Sequence, residues 1–394
     1  WAPGGASGAV SRALVRHAAL NTLVRDLTLQ AEVELLTSTA GAARAADLLA
    51  AATTAAGLGE FLLNPLVACL SDRFGRRPFL NMFNLYSALS SLLLSLNPLA
   101  RVGRIPAVVI NRAVMGMLST HSGSVMGTNA MSDISSGTEL GANLARLFGA
   151  FGLGTIAAPW LGNRALRAGG HAAVYRVRAL VALVHLLHNA WAIPETLAAA
   201  APAGARRQGL NPFGFGRLLL RPDGPLLSRL LRAVAVCTSE QKILINLKTL
   251  WLREDVGLSI DQAQRELMAY AGATCVSGQV LAPRLIAWVG PGAFTDLTAA
   301  LNAIAFVVWG LSPTRPALWG GLLLHAPGCN GTGACAVKAD MMSRAEELGI
   351  GKAEMNAYFM NLRALLVVFV PLLLARVYSA LAPRGSGGRA WLLL

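Results

Sequence analysis

The sequence predicts an all-α protein that crosses a membrane many times. Hydrophobic side chains make up 54% of the 394 residues. Charged side chains make up 14%, whereas a typical soluble domain has roughly 25%. The apolar residues form continuous runs of about 20, the length of helix that crosses a hydrocarbon core of roughly 30 Å. Because the runs are continuous rather than alternating, the pattern excludes a membrane β-barrel.

Ten runs of low charge density define the predicted spans. They lie near residues 48–70, 79–98, 106–130, 147–162, 179–193, 230–252, 267–290, 293–311, 317–337 and 357–376. An eleventh run, from Val10 to Ala31, contains four charged side chains. It is taken as the first span, because the connections between the other spans keep their predicted sides of the membrane only if this run also crosses it. The chain begins with Trp1 and its last run, Ala390 to Leu394, is short, so we expect an incomplete start and a truncated twelfth span.

A polar connection divides these spans into two sets. It runs from Pro194 to Pro225 and is rich in Gly, Pro and Arg, a composition typical of a linker. The sequence therefore predicts a six-helix bundle over residues 1–193, a cytoplasmic linker over 194–225, and a second bundle over 226–394 that lacks most of its twelfth span.

The net charge of +14 fits loops beside a membrane better than a nucleic-acid surface. The 34 Lys and Arg residues mostly lie between apolar runs, where positively charged loops face the cytoplasm and anionic lipid. The five cysteines form no CxxC pair and have no histidine at zinc-site spacing. We therefore expect lipid as a partner, no nucleic acid, no metal and no cofactor.

The most specific motif lies between the second and third predicted spans. The segment from Ala68 to Pro78 reads ACLSDRFGRRP and resembles the loop 2-3 signature of the major facilitator superfamily, GxLSDRxGRR, with alanine at the first glycine. The resemblance implies that Asp72 caps the eleventh span and that Arg76 pairs with Asp133 at the end of the fourth. Topogenic charges that hold the loop in the cytoplasm are the alternative. The implied conformational latch consists of Asp72, Arg73, Gly75, Arg76, Arg77 and Asp133.

Three further segments resemble the same superfamily. Arg112-x3-Gly116 resembles its span-four motif, in which an arginine faces the transport path. The segment from Gly154 to Gly162 resembles the GxxxGPxxGG motif of antiporters, with helix-packing residues Gly154, Pro159 and Gly162. Pro194 to Leu197 resembles the PETL ending of tetracycline and drug antiporters. In the second half, a loop from Gly278 to Gly290 is expected at the position of the first motif, without its acid.

Ionisable side chains at membrane depth cost at least about 2.5 kcal/mol, which makes them functional candidates. Glu60 lies 11 residues before Ser71, about 16 Å along a helix, and a carboxyl there suits proton uptake and release. A structural hydrogen bond to a neighbouring helix, or to Asn64 one turn on, is the alternative. Arg112 faces either the cavity or, by snorkelling, the membrane surface. The candidates for proton coupling are Glu60, Arg112 and Glu240.

In the superfamily, the first, fourth, seventh and tenth spans line the central path. By that resemblance the substrate-cavity candidates are His121, Lys242, His325 and Asn330. Pro327 and Gly328 beside His325 predict a broken or flexible helix there. His185 and His188 share a helix face and are interpreted as packing residues.

The resemblance implies secondary active transport of a small solute by alternating access, coupled to protons and directed outward. The sequence has no GxxxxGK[ST] segment, which excludes a nucleotide-driven pump of that kind. It also has no HExxH helix or paired acids at membrane depth, so an enzyme is not expected. The alternative is a non-transporting membrane sensor or degenerate carrier. We expect a monomer.

Overall fold

The protein is described here by a computed structural model, which covers residues 5–40, 42–96, 101–197, 211–216, 224–238, 248, 251–328, 331–347, 350–381 and 387–393. These residues form helices joined by short connections, with no strand among them. The all-α prediction is confirmed.

The first half of the chain contains seven described helices. They are α1 (Gly5–Asp26), α2 (Leu29–Ala40), α3 (Ala42–Phe74), α4 (Arg77–Leu96), α5 (Arg101–Ser119), α6 (Gly127–Ile134) and α7 (Gly137–Ala192). A π-helical segment, Thr120–Met126, joins α5 to α6. The chain turns within α7 at Gly169 and Gly170, which separates the fifth and sixth predicted spans. Gly170 has φ +65°, a conformation that glycine adopts at low cost.

The second half continues with seven more. They are α8 (Gly224–Thr238), α9 (Ile260–Val276), α10 (Ala282–Val289), α11 (Pro291–Leu311), α12 (Arg315–His325), α13 (Thr332–Glu347) and α14 (Lys352–Leu381). Ser259 and Gln262 form a capping box that starts α9, and Thr314 caps α12. The break between α12 and α13 agrees with the interruption predicted beside His325.

The loop predicted from Gly278 to Gly290 is wrong. Residues 278–289 are helical, in a π-helical segment (Ser277–Leu281) followed by α10. Pro283 stands in the first turn of α10, where a missing backbone N–H is tolerated, so it does not break the helix. The turn is confined to Gly290, which has φ +83°.

Five described helical segments are long and apolar enough to cross a membrane: Ala51–Phe74, Arg77–Leu96, Gly137–Ala192, Pro291–Leu311 and Lys352–Val370. Many large apolar side chains on them are exposed, including Leu93, Leu187 and Trp191. An exposed apolar surface on long helices is what lipid contact requires. These helices are those of an integral multi-pass membrane protein.

The chain forms two compact units. The first contains Trp1–Ile134 and Ala150–Pro212, and the second contains Ser135–Gly149 and Phe213–Leu394. In the first unit, Val24, Phe83, Met115 and Ala182 form part of the core. In the second, three tryptophans, Trp251, Trp309 and Trp391, pack against one another and Phe306. Each unit therefore has its own core.

Candidate functional site

Arg76 lies at the centre of an ion-pair cluster in the first unit, in the turn between α3 and α4. Its Nη1 atom lies 2.6 Å from Asp72 Oδ1 and donates to the Ser71 hydroxyl at 2.6 Å. Its Nε atom donates to Asp133 Oδ2 at 3.0 Å, and the Thr196 hydroxyl donates to that same oxygen at 3.0 Å. The cluster therefore connects α3, α6 and the segment that follows α7.

The carboxylate of Glu195 binds the N-terminus of α4. Its two oxygens accept the backbone N–H groups of Arg76 at 2.8 Å and Arg77 at 3.1 Å, where the helix dipole favours a negative charge. The Arg77 guanidinium donates to the Ala190 carbonyl. Gly75 has φ +91°, and a Cβ there would lie 2.2 Å from Glu195 Oε2. The turn therefore favours glycine for its conformation, and a side chain there would also displace the Glu195 carboxylate.

The charge of Arg76 is stabilised by its neighbours. Burial lowers the pKa of its guanidinium, but the attraction of Asp133 and Asp72 outweighs burial and raises that pKa above its ordinary value. Arg73 instead lies over the ring of Phe74, 5.1 Å from its centroid. Arg76 is thus the arginine that forms ion pairs with both Asp72 and Asp133.

We expect Glu195→Gln to lower the free energy of unfolding by about 1 kcal/mol, because it removes the charge that binds the α4 N-terminus. The apparent midpoint of thermal unfolding in detergent measures this change. Glu34→Gln, an exposed position on α2, is the control. A midpoint for Glu195→Gln equal to that of the control would contradict the assignment.

A second cluster of charges is buried deeper in the first unit. Arg112 Nη1 lies 2.8 Å from Glu32 Oε2, and Arg178 Nη1 lies 3.8 Å from Glu32 Oε1. Arg178 also donates to the hydroxyls of Ser91 at 2.6 Å and Thr28 at 3.0 Å. The side chains of Glu32 and Arg178 are 2% and 1% exposed, whereas that of Arg112 is 26% exposed. Arg112 is therefore the partly exposed member of the cluster.

Glu60 is buried in α3, and its Oε1 atom accepts the Thr120 hydroxyl at 2.8 Å. His121, the next residue, is also buried. Both Thr120 and His121 belong to the π-helical segment Thr120–Met126, and π turns frequently occur at functional sites. The structure thus brings Glu60 close to the segment that carries His121.

Two glycines of the predicted packing motif contact the backbone of α1 or of the turn that follows it. A Cβ at Gly154 would lie 2.5 Å from the Ala19 carbonyl oxygen, and one at Gly162 would lie 2.4 Å from the Leu27 carbonyl oxygen. Pro159 lies inside α7 between them. The absence of a side chain at both glycines allows α7 to approach α1 and the turn after it closely.

His325 lies among aromatic rings in the second unit. It is fully buried at the end of α12, and its Nδ1 atom lies 2.8 Å from Asn302 Oδ1. Its ring stacks on Tyr270 and meets the edge of Trp309. The ammonium of Lys248 lies 3.5 Å from the Tyr270 ring centroid and 4.4 Å from that of Trp309, in cation–π geometry. Tyr270 and Trp309 thus connect Lys248 to His325.

Three predicted site residues, Glu240, Lys242 and Asn330, lie outside the residues that the structure describes. Among the residues it does describe, no group of three His, Cys, Asp or Glu side chains converges as a metal site would.

The sequence analysis missed Glu32 and Arg178, which complete the cluster around Arg112. Each lies one residue outside a predicted span, at positions where a charge is ordinary. It also missed Glu195 as a ligand of the α4 N-terminus, although the PETL resemblance includes that residue.

Two units of long apolar helices, with a cluster of charged side chains buried inside the first, define a polytopic membrane protein. The sequence profile described as the Major Facilitator Superfamily matches residues 19–376. The chain belongs to this superfamily, whose members are transporters rather than enzymes.

Solved structures of the superfamily share the fold. The human organic anion transporter MFSD10 (TETRAN) is 19% identical, with a TM-score of 0.78 over 100% of this chain and 97% of that one. The proton:xylose symporter XylE bound to 6-bromo-6-deoxy-D-glucose is 16% identical, with a TM-score of 0.73 over 98% of this chain and 93% of that one. Both are similar to the chain across nearly its whole length.

Proposed function

We propose that the protein exports a small solute by alternating access in exchange for protons, as an antiporter of the tetracycline and drug type. Bundles 1–193 and 226–394, joined by the linker 194–225, are the proposed moving parts of a monomer. The observation that carries the proposal is the Glu32, Arg112 and Arg178 cluster. Burying charged side chains is costly, and in polytopic membrane proteins such residues often line the paths of solutes and ions.

The solute class that this cluster favours is a small organic anion. Two guanidinium groups face one carboxylate, which gives the cluster a formal charge of +1. Arg112 is partly exposed, so an anion that reaches it competes with Glu32 for the same guanidinium. The organic anion transporter MFSD10 shares the fold, and this supports the choice.

Glu60 is the proposed proton carrier. Its carboxyl group is buried and accepts a hydrogen bond from Thr120, the residue that precedes His121. A carboxyl group in a dry site exchanges its proton only when a conformational change brings water to it, which is what coupling requires. Glu240 is the corresponding candidate in the second bundle.

The Arg76 cluster is the proposed latch. It joins α3 and α6 of the first unit through Asp72 and Asp133, so the two helices move together while both ion pairs are intact.

Proteoliposomes that contain the full chain test the proposal. We expect an organic anion, within a panel that includes drugs and sugars, to accumulate under an imposed pH gradient. Arg112→Gln should reduce that uptake roughly tenfold, the effect of losing about 1.4 kcal/mol of binding. Glu60→Gln should abolish accumulation against a gradient but keep solute counterflow, because exchange without a net proton movement needs no titrating carboxyl group.

Glu34→Gln on the exposed face of α2 is the control and should transport as the wild type does. If neither accumulation nor counterflow is detected for any solute, the protein is better described as a sensor or degenerate carrier. If Glu60→Gln retains uphill accumulation, Glu60 is not the coupling residue.

A further inference from the structure

A chain of histidine and amide side chains crosses the first unit from α1 to α7. His17 Nδ1 lies 2.9 Å from His185 Nε2 and 3.1 Å from Asn189 Oδ1. His17 Nε2 lies 3.2 Å from the carbonyl oxygen of Ser122 in the π-helical segment. The side chains of His17, His185 and Asn189 are fully buried. The transport scheme above assigns these residues no role.

Two backbone carbonyl groups fix the orientation of this network. The Ser122 carbonyl only accepts, so His17 Nε2 carries a proton. Asn189 Nδ2 donates to the Leu80 carbonyl at 3.4 Å and to Asn81 Oδ1 at 3.1 Å, which turns Asn189 Oδ1 toward His17. The contact between Asn189 Oδ1 and His17 Nδ1 is then a hydrogen bond only when Nδ1 is protonated as well.

We propose that His17 and His185 form a proton-binding pair. With both rings neutral, His185 Nε2–H donates to His17 Nδ1. With one more proton, His17 becomes an imidazolium whose Nδ1–H is accepted by His185 Nε2 and by Asn189 Oδ1. The same three atoms therefore accommodate both states of the pair without a change of side-chain position.

The added proton enters at His185 Nδ1, which has no hydrogen-bond partner among the residues the structure describes. As it binds, the Nε2 proton of His185 passes to His17 Nδ1. One N–H bond forms at His185 Nδ1, one breaks at His185 Nε2, and one forms at His17 Nδ1, so the pair gains one proton and one positive charge. Release reverses these steps.

The pair depends on the conformation of the helices that carry its acceptors. Burial disfavours the imidazolium, and its hydrogen bonds to Ser122 and Asn189 act in the opposite direction. A movement that separates Ser122 or Asn189 from His17 removes those bonds and releases the proton. This coupling rests on the proposed transport function, whereas proton binding itself does not.

The titratable groups that face His17 directly are His185 and His188, both on α7. His188 Nδ1 lies 3.3 Å from the same Asn189 oxygen. The charged or titratable residues on α1 and on the elements packed against it, α5, α6 and the π-helical segment, are Arg12, Arg16, Arg25, Asp26, Arg101, Arg104, Arg112, His121 and Asp133.

Nitrogen-15 NMR of the full chain, with labelled histidine in lipid nanodiscs, tests the proposal between roughly pH 5 and 8. We expect two histidine rings to change protonation together, with one proton shared between them. His17→Gln and His185→Gln should each abolish the coupled change. His171→Gln, 14 residues before His185 on α7, is the matched control and should preserve it.

Rings that stay neutral throughout this range, or that titrate independently of each other, would overturn the proposal. The wild-type spectrum alone decides this, so the test does not depend on the folding of a variant. If the coupled change is present but no solute moves in proteoliposomes, only the transport proposal fails. If transport is present without the coupled change, only the proton-binding pair fails.

Discussion

Replacing Glu32 by glutamine is expected to lower the free energy of unfolding by about 3 kcal/mol, the cost of breaking a buried ion pair. Glutamine has nearly the same shape and keeps an oxygen for the Thr28 hydroxyl, but it leaves Arg178 and Arg112 as two cations without their carboxylate. Arg178 is 1% exposed and has no access to water that would replace the lost partner. Chemical unfolding in detergent measures the change.

The matched control is Glu34→Gln, two residues further along α2 and exposed. It makes the same chemical change without uncovering a buried cation, and we expect less than about 0.5 kcal/mol for it. The double variant Glu32→Gln with Arg178→Met should recover part of the lost stability, because an apolar replacement removes the stranded charge. Equal stabilities of the two glutamine variants would show that the cluster does not stabilise the fold.

The fold class was predictable because the length and spacing of the apolar runs can be recognised in the sequence without knowledge of tertiary contacts. Continuous runs gave the helical class, and the break beside Pro327 and Gly328 follows from local backbone chemistry. The predicted loop after Gly278 was wrong because a proline in the first turn of a helix looks, in sequence, like a proline in a loop. Only hydrogen bonding distinguishes the two.

The buried charges were harder to predict for a different reason. Glu32 and Arg178 lie 146 residues apart and meet only through the packing of α2 against α7. Each also falls directly outside an apolar run, where the sequence pattern is that of a membrane surface. The contact of His17 is also long-range. Nothing near it in sequence indicates that its ring meets His185, 168 residues away.

Replacing Gly154 by alanine is expected to lower the free energy of unfolding by about 1–3 kcal/mol, the cost of overpacking. The new methyl group would lie 2.5 Å from the Ala19 carbonyl oxygen and 2.6 Å from the Leu23 amide nitrogen. Both are backbone atoms, so they move only if α1 and α7 separate. That separation also disturbs the contact between His17 and His185, which the same two helices carry.

Gly320→Ala provides the opposite case within the same chain. Gly320 lies inside α12, and a Cβ there meets nothing within 4 Å. Alanine favours a helix over glycine by about 1 kcal/mol, so this variant should be slightly more stable than the wild type. The same substitution is thus expected to change stability in opposite directions at the two positions. A clash with a neighbouring backbone dominates at Gly154, whereas helix propensity dominates at Gly320. If Gly154→Ala were also stabilising in thermal unfolding, α1 and α7 would not be in the contact that the glycine allows.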